Sequence, residues 1–459
     1  MTFKQQLHLV VLLSIPTIIA QLSSMIMQYI DASMVGSLGA HASASIGLVI
    51  TSTWLFWGIC TTVAAGFSVQ VAHLIGAGEP KNARAVLRQS LMASLLFSLV
   101  MVAIGASIAH KLPLWLGGDE SIVEDASRYF LIFILSLPAL QLNFLASGML
   151  RSSGNVHVPS ILNVLMCFLD VIFNFFLIFP SRELNVLGLD IYVPGANLGV
   201  VGAALGTAIA YLVTAIMLLW YLFTKDKNLR LTTEKGSFRP EARILRKAVR
   251  ISVPMTLEHS VIMGAQILST VIVAPLGVAS IAANSFAITA ESLCYMPGYG
   301  IAEAATTLVG QSFGARQKLL AKRFAHITVY LGMIVMTLMG AIMYIAAPLI
   351  MGFMTPDAEI LSLGVMALRI EAFAEPMFAA SIVAYGVFVG VGDTFIPSIM
   401  NFGSIWLVRL TLAAVLAPIM GLRGVWIAMC VELCFRGLIF LIRLYRGQWL
   451  NKSFEKIKE

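Results

Sequence analysis

Along all 459 residues, long apolar runs alternate with short polar gaps. A bilayer-spanning helix needs about 20 consecutive apolar residues, and twelve runs reach that length. They cover 7–37, 46–75, 86–112, 122–149, 158–180 and 199–223, then 250–276, 282–312, 324–353, 361–389, 396–419 and 423–445. The pattern predicts an all-α integral membrane protein of twelve transmembrane helices. Its expected organisation is an N-terminal lobe of six spans (1–223), a basic loop (224–249), and a C-terminal lobe of six spans with a basic tail (250–459). The opening MTFKQQ runs into the first span without an A-x-A cleavage site, so that span reads as an uncleaved helix rather than a signal peptide.

Composition strengthens this reading. The chain is 59% hydrophobic and only 12% charged, with a mean hydropathy of +0.90. A soluble domain carries about 25% charged residues. The net charge of +7 is no nucleic-acid footprint, because the basic residues gather in a few gaps between apolar runs. Those gaps are GEPKNARAVLR (78–88), the long TKDKNLRLTTEKGSFRPEARILRKAVR (224–250), GARQKLLAKR (314–323) and a tail with Arg443, Arg446, Lys452, Lys456 and Lys458. With twelve spans they share one side. The opposite gaps LGGDESIVED (116–125) and TPDAE (355–359) lean acidic. The positive-inside rule then places both termini and the 224–250 loop in the cytoplasm. Within that loop RILRKAVR (243–250) can form an amphipathic helix on the inner surface. Cys60, Cys167, Cys294, Cys430 and Cys434 lie inside apolar runs without CxxC or Cys/His metal spacing, and read as buried hydrophobes rather than disulfides.

The chain repeats itself. GMLRSSGNVHVPSILN from Gly148 returns as GVFVGVGDTFIPSIMN from Gly386, 238 residues later. The same offset pairs Ser14 with Ser252, Pro16 with Pro254, Gln28 with Gln266, Gly39 with Gly277, Gly76 with Gly314 and Pro138 with Pro376. Gly199 matches Gly421 at a shorter offset, which a longer loop near 180–198 explains. Six spans is an even number, so the halves keep one orientation and form a parallel repeat about an axis along the membrane normal.

IDASMVGSLG, AAGFSVQVAHLIGAGEPKNAR, its second-half counterpart EAATTLVGQSFGARQKLLAKR, and GMLRSSGN followed by P-S-I resemble the multidrug and toxic compound extrusion (MATE) family, bacterial type. The resemblance covers nearly the whole chain. It implies two six-helix bundles facing a central cavity. It also implies exchange of a drug-like, often cationic, substrate for protons or sodium ions by alternating access, in a bacterial inner membrane.

Intramembrane carboxylates are costly and tend to be functional. Here they do not recur: Asp31 faces Ser269 in the repeat, Glu258 faces Ala20, Glu303 faces Ala65 and Glu375 faces Leu137. The fold therefore does without each of them in one half. Asp31 lies in the outer half of the first span. Asp170 and Asn174 share one face of the fifth span by their i, i+4 spacing, roughly 18 and 24 Å from its inner end. Thr207 lies about 12 Å below the outer end of the sixth span. These four form a candidate coupling pocket, able to hold a sodium ion or a shared proton. The resemblance implies an ion site in this lobe and matches Asp31 to the family's first-span aspartate. The fifth-span motif departs from it, with Asp170 first and Asn174 second in place of the reverse, which leaves proton and sodium both open. The plain alternative is that Asp170 and Asn174 only tie helices together.

In the second half Glu258, Glu303, Glu375 and Glu371 form a candidate substrate or second coupling site, with Glu291 as a further acidic residue. Glu371 and Glu375 share a helix face. Pairing with Arg369, Arg409 or backbone is the competing role for the acidic residues. His259 could shuttle protons, and Trp54, Trp57, Tyr295, Tyr299, Phe373 and Tyr385 could stack on planar cations. The 23 methionines suit varied apolar ligands but also ordinary packing. No GxxxxGK[ST], HExxH or GxSxG is present, so neither an ATP-driven pump nor a membrane enzyme is indicated. No cofactor is expected beyond the coupling ion. The expected partners are a small organic molecule and the lipid bilayer, with no nucleic acid and no second subunit. The alternative reading is a flippase or exporter for a lipid-linked precursor or specific metabolite, which calls for a cationic cavity; a channel fits the repeat less well.

Overall fold

The computed structural model describes residues 1–186, 189–233 and 235–455; Lys456 and Lys458 of the basic tail lie outside the described residues. Among the described residues the regular structure is helical apart from one hairpin. The first half comprises α1 (Phe3–Gly36), α2 (Ala40–Gly76), α3 (Pro80–Ile108), the single turn α4 (Leu112–Trp115), α5 (Glu120–Leu135), α6 (Leu137–Ser152), α7 (His157–Ile178) and α8 (Gly199–Thr224). The second comprises α9 (Ala242–Val273), α10 (Val278–Gly314), α11 (Lys318–Met354), α12 (Ala358–Ala372), α13 (Glu375–Gly390), α14 (Phe395–Gly403), α15 (Leu410–Met420), α16 (Leu422–Arg446) and the short α17 (Gln448–Glu455). A π-helical stretch, Ser404–Arg409, joins α14 to α15 into one span.

Among the described residues nine spans are single helices long and apolar enough to cross a bilayer, and two more are bent pairs. The twelfth is α10, 37 residues long, where Glu291, Glu303 and many small residues dilute the apolar run. Apolar side chains face outward on these helices. On α3, for example, Leu96, Leu99 and Val100 are exposed, as lipid-facing residues are.

The bent pairs are α5–α6 (44°) and α12–α13 (59°). The sequence reads each as one continuous span. Pro138 and Pro376, repeat partners, sit at the second position of α6 and α13. Proline has no N–H and clashes with the preceding turn, so the helix breaks just before it. The turns repeat as well. Gly39 and Gly277 have φ of 112° and 105°, and Gly154 and Gly392 have φ of 96° and 79°. Gly78 (75°) has Arg316 (57°) as its counterpart, so the second half keeps a left-handed turn even without glycine.

Two readings change. The 180–198 loop contains an antiparallel hairpin, β1 (Pro180–Val186) with β2 (Leu189–Ala196), and Asn185 donates to Asp190 across it at 2.7 Å. The basic run 243–250 is no separate surface helix but the first turns of α9. The rest of the basic loop is stitched to its own unit: Glu241 N–H donates to Gln89 at 2.9 Å, and Arg84 donates to the Asn228 carbonyl at 3.0 Å. The five cysteines are free.

The chain divides into two compact units. One contains Met1–Leu22, Ala72–Gly78 and Arg250–Glu459; the other contains Ser23–Val71 and Glu79–Val249. Inside the first unit, the ends of α2 and α10 cross through repeat-related glycines. A Cβ on Gly76 would lie 1.9 Å from the Gln311 carbonyl, and one on Gly314 would lie 1.9 Å from the His73 carbonyl. His73 also donates to the Gly390 carbonyl at 2.7 Å. Gly76→Ala should therefore destabilise the protein by about 1–3 kcal/mol through overpacking. Gly47→Ala, in open space on the same helix, should be neutral or stabilising by up to about 1 kcal/mol. Thermal unfolding in detergent would rank the two, and the opposite order would contradict this packing.

Candidate functional site: a carboxylate pair bridged by an amide

The four candidate coupling residues converge inside the second unit. Asp31 comes from α1, Asp170 and Asn174 from α7, and Thr207 from α8. The Asn174 amide donates to Asp31 Oδ1 at 2.9 Å and to Asp170 Oδ2 at 3.1 Å. Thr207 lies within hydrogen-bonding reach of Asp170, and its hydroxyl also donates to the Ala203 carbonyl at 3.2 Å. Asp170 and Asn174 are buried at 1% and 0% exposure, while Asp31 and Thr207 are half-buried. The i, i+4 spacing on α7 lets one amide serve both carboxylates.

Two acceptors remain unanswered. Asp170 Oδ1 and Asn174 Oδ1 have no hydrogen-bond partner among the described residues. Buried oxygens without donors are unfavourable, and two carboxylates side by side repel. A proton or a hard cation relieves both problems. The residues present therefore fit either ion.

Several contributors were not legible in the sequence. Gly206 packs against the bridge: a Cβ there would lie 2.0 Å from Asn174 Oδ1. Only a residue without a side chain lets α8 approach this closely. Tyr129 and Tyr211 stand within electrostatic range of both aspartates, and Met27, Met166 and Cys167 form an adjoining apolar cluster.

The second-half acidic residues do not form one site. Glu258 on α9 accepts from Tyr385 and Asn401, each at 2.5 Å, and from Ser398 at 2.7 Å. Ser398 and Asn401 belong to the repeated P-S-I-x-N motif. In the first half, where Ala20 replaces Glu258, the equivalent Asn163 donates to Ser24 instead, at 3.1 Å. Glu303 accepts from Gln21 at 3.1 Å. Glu371 and Glu375 gather with Glu291, all three buried. Among the described residues the suggested arginines bond elsewhere. Arg409 pairs with Glu432 at 2.7 Å, together with Arg436 at 2.8 Å, and Arg369 donates to the Tyr344 carbonyl at 3.3 Å. Glu432 escaped the sequence reading, although its i, i+4 spacing to Arg436 marks an ion pair. The π-helical stretch ends at Arg409, and such stretches occur at functional positions. His259 is half-buried beside Glu258 in the chain, and Phe373 is exposed at the α12–α13 break.

With this geometry in place, comparison with known proteins is informative. The MatE family model matches residues 16–176 and 254–415, two stretches that begin 238 residues apart, as the repeat does. The chain therefore belongs to the MatE family, which its motifs resemble. Among curated relatives, a probable multidrug resistance protein NorM of Thermotoga maritima is 24% identical over 455 residues, covering 97% of this chain and 94% of the relative. Another, from Pseudomonas aeruginosa, is 26% identical, covering 92% and 85%. Solved structures share the fold. An outward-facing multidrug resistance MATE transporter of the MOP superfamily aligns with a TM-score of 0.88 at 22% identity, over 97% of both chains. A MOP-superfamily transporter from Pyrococcus furiosus, described as having a binding pocket of reverse polarity that suggests a different function, aligns at 0.87 and 21% identity, over 99% and 97%.

The Gly206 contact yields a test. Gly206→Ala should push Asn174 off the aspartates and lower drug efflux by at least about tenfold at equal protein level, because loss of geometry of this size is felt at the site. Dye efflux from cells measures it. A near-normal rate would show that the bridge is not needed.

Proposed function

We propose that the protein is a secondary active efflux antiporter, exporting drug-like organic cations in exchange for protons or sodium ions by alternating access. The observation that carries this reading is the buried Asp31–Asn174–Asp170 bridge with its two unanswered oxygens. Ion binding there favours one conformation, and substrate binds the conformation that has released the ion. Coupling of this kind requires each ligand to distinguish the two states. Glu303, half-buried on α10, adds negative charge that favours cationic substrates. The multidrug relatives support the substrate class. The basic gaps support a cell inner-membrane setting with both termini in the cytoplasm. The protein acts as a monomer and carries out no covalent chemistry. The competing exporter of anionic, lipid-linked precursors needs available cationic groups in the membrane, whereas Arg409 and Arg436 are both held by Glu432.

Everted vesicles with an acid interior in sodium-free buffer provide the test. Addition of ethidium should release protons from wild-type vesicles but not from Asp31→Asn vesicles. Because protons and substrate compete, dye uptake should strengthen as the outer pH rises. If sodium is the ion, a sodium gradient will drive the same exchange and Asp31→Asn will again abolish it. Dye movement linked to neither ion would refute the antiport reading.

A further inference from the structure

The repeat builds one groove twice, between the fifth and sixth spans of each half. In the first half α7 and α8 line it with Ile161, Leu162, Met217, Trp220 and Tyr221, and it holds about 350 Å³. In the second half α14, α16 and the start of α17 line about 160 Å³ with Met400, Ile439, Ile442, Arg443, Arg446 and Gln448. The offset of 238 carries Leu162 to Met400. The offset of 222, set by Gly199 and Gly421, carries Met217 to Ile439, Trp220 to Ile442, Tyr221 to Arg443 and Thr224 to Arg446. The apolar walls therefore repeat, while the two arginines stand only in the second half.

We propose that this second groove binds an anionic phospholipid, with its phosphate at Arg443 and Arg446 and an acyl chain along Met400, Ile439 and Ile442. The polar tie behind the groove shows that the fold does not need the charge. In the first half Asn155 donates to the Tyr221 hydroxyl at 3.3 Å. In the second half the same two positions are Asp393 and Arg443, joined as an ion pair. Asp393 takes one Nη of Arg443, but the buried Nε has no hydrogen-bond partner among the described residues. The guanidinium lies 5.3 Å from the centre of the Phe388 ring, which fixes its plane. Arg446, three residues further along the same helix, is exposed and has no hydrogen-bond or ion-pair partner among the described residues. Two arginines against Asp393 leave one positive charge. A phosphate supplies both the missing acceptor and the balancing charge, and guanidinium groups suit its geometry.

The rim of the groove is held in place. Gly447, at φ 65°, ends α16 in a left-handed turn. Beyond it the buried Trp449 donates to the Leu444 carbonyl at 3.1 Å and packs on Phe388 at 5.6 Å. Gln448 is fixed between them. Leu438 and Ile442, 51% and 42% exposed, leave the apolar wall open to lipid. The cavity is smaller than the roughly 300–1,000 Å³ that a drug-sized ligand fills, so it suits a headgroup rather than the exported compound. The topology proposed above puts it in the cytoplasmic leaflet, where basic pockets between spans take anionic headgroups; the binding itself does not rest on that topology.

Native mass spectrometry of the delipidated full-length protein provides the test, with dioleoyl phosphatidylglycerol, dioleoyl phosphatidylcholine and glycerol phosphate added separately. Phosphatidylglycerol should bind about tenfold more tightly than phosphatidylcholine, and glycerol phosphate more weakly than phosphatidylglycerol. Arg446→Gln and Arg443→Gln should each weaken phosphatidylglycerol about fivefold, as loss of one basic residue at a membrane surface does, and leave phosphatidylcholine unchanged. Arg423→Gln, at the opposite end of α16, should have no effect. If Arg443→Gln does not fold without the partner of Asp393, Arg446→Gln decides alone. Equal binding of the two lipids, or full phosphatidylglycerol binding by Arg446→Gln, would overturn the proposal. So would glycerol phosphate bound as tightly as phosphatidylglycerol, which marks a free-phosphate site, or a dimer that excludes lipid, which marks a second copy in the groove. No transport is measured, so failure of the antiport reading leaves this result standing.

Discussion

A carboxylate inside a membrane must be answered by a donor, a counter-charge, a proton or an ion, because hydrocarbon offers no solvation. This protein holds each kind of answer. Glu258 receives three hydrogen bonds. Glu432 receives two guanidinium groups, Arg409 and Arg436. Asp31 and Asp170 share one amide, and Asp170 and Asn174 each leave one oxygen over among the described residues. Glu371 has no donor among the described residues, and Glu375 has only the Cys294 thiol within reach. The first two groups are closed networks that fix helices in place. The other two are incomplete, and an incomplete network is where a mobile ion changes energy most. Function is therefore assigned to the gaps in hydrogen bonding rather than to charge alone.

The internal repeat separates scaffold from site. Elements present in both halves are backbone devices: the prolines at the bent spans, the left-handed turns, and the glycine crossing of α2 and α10. The carboxylates left incomplete are present once. Asp31 has a serine as counterpart, and Glu375 a leucine. The repeated P-S-I-x-N motif shows both roles together. Its serine and asparagine hold a glutamate in one half, while in the other the asparagine bonds a serine.

Much of this was legible in the residues. The twelve spans followed from run length, since a bilayer imposes one length on every helix. The Asp31 group followed from depth and i, i+4 spacing. The bends at Pro138 and Pro376 were hidden, because each proline sits within an unbroken apolar run. The hairpin at 180–196 was hidden because β1 is mostly polar and β2 carries Pro194 and Gly195, which read as loop residues. Gly206 could not be recognised, since its role depends on how closely α8 approaches α7. Grouping Glu291 with Glu371 and Glu375 needed the fold, because 80 residues separate Glu291 from Glu371. Glu432 was the avoidable omission, as Arg436 lies one helical turn away.

The central claim is that an ion at the Asp31–Asn174–Asp170 bridge and the exported substrate bind in competition. Its most direct measurement is the affinity of purified protein for a radiolabelled lipophilic cation, titrated against pH and against sodium. The account predicts that one of these ions weakens wild-type affinity by about tenfold or more, within the usual range of coupling, and that Asp31→Asn removes the dependence. The same dependence in Asp31→Asn, or none in the wild type, would contradict it.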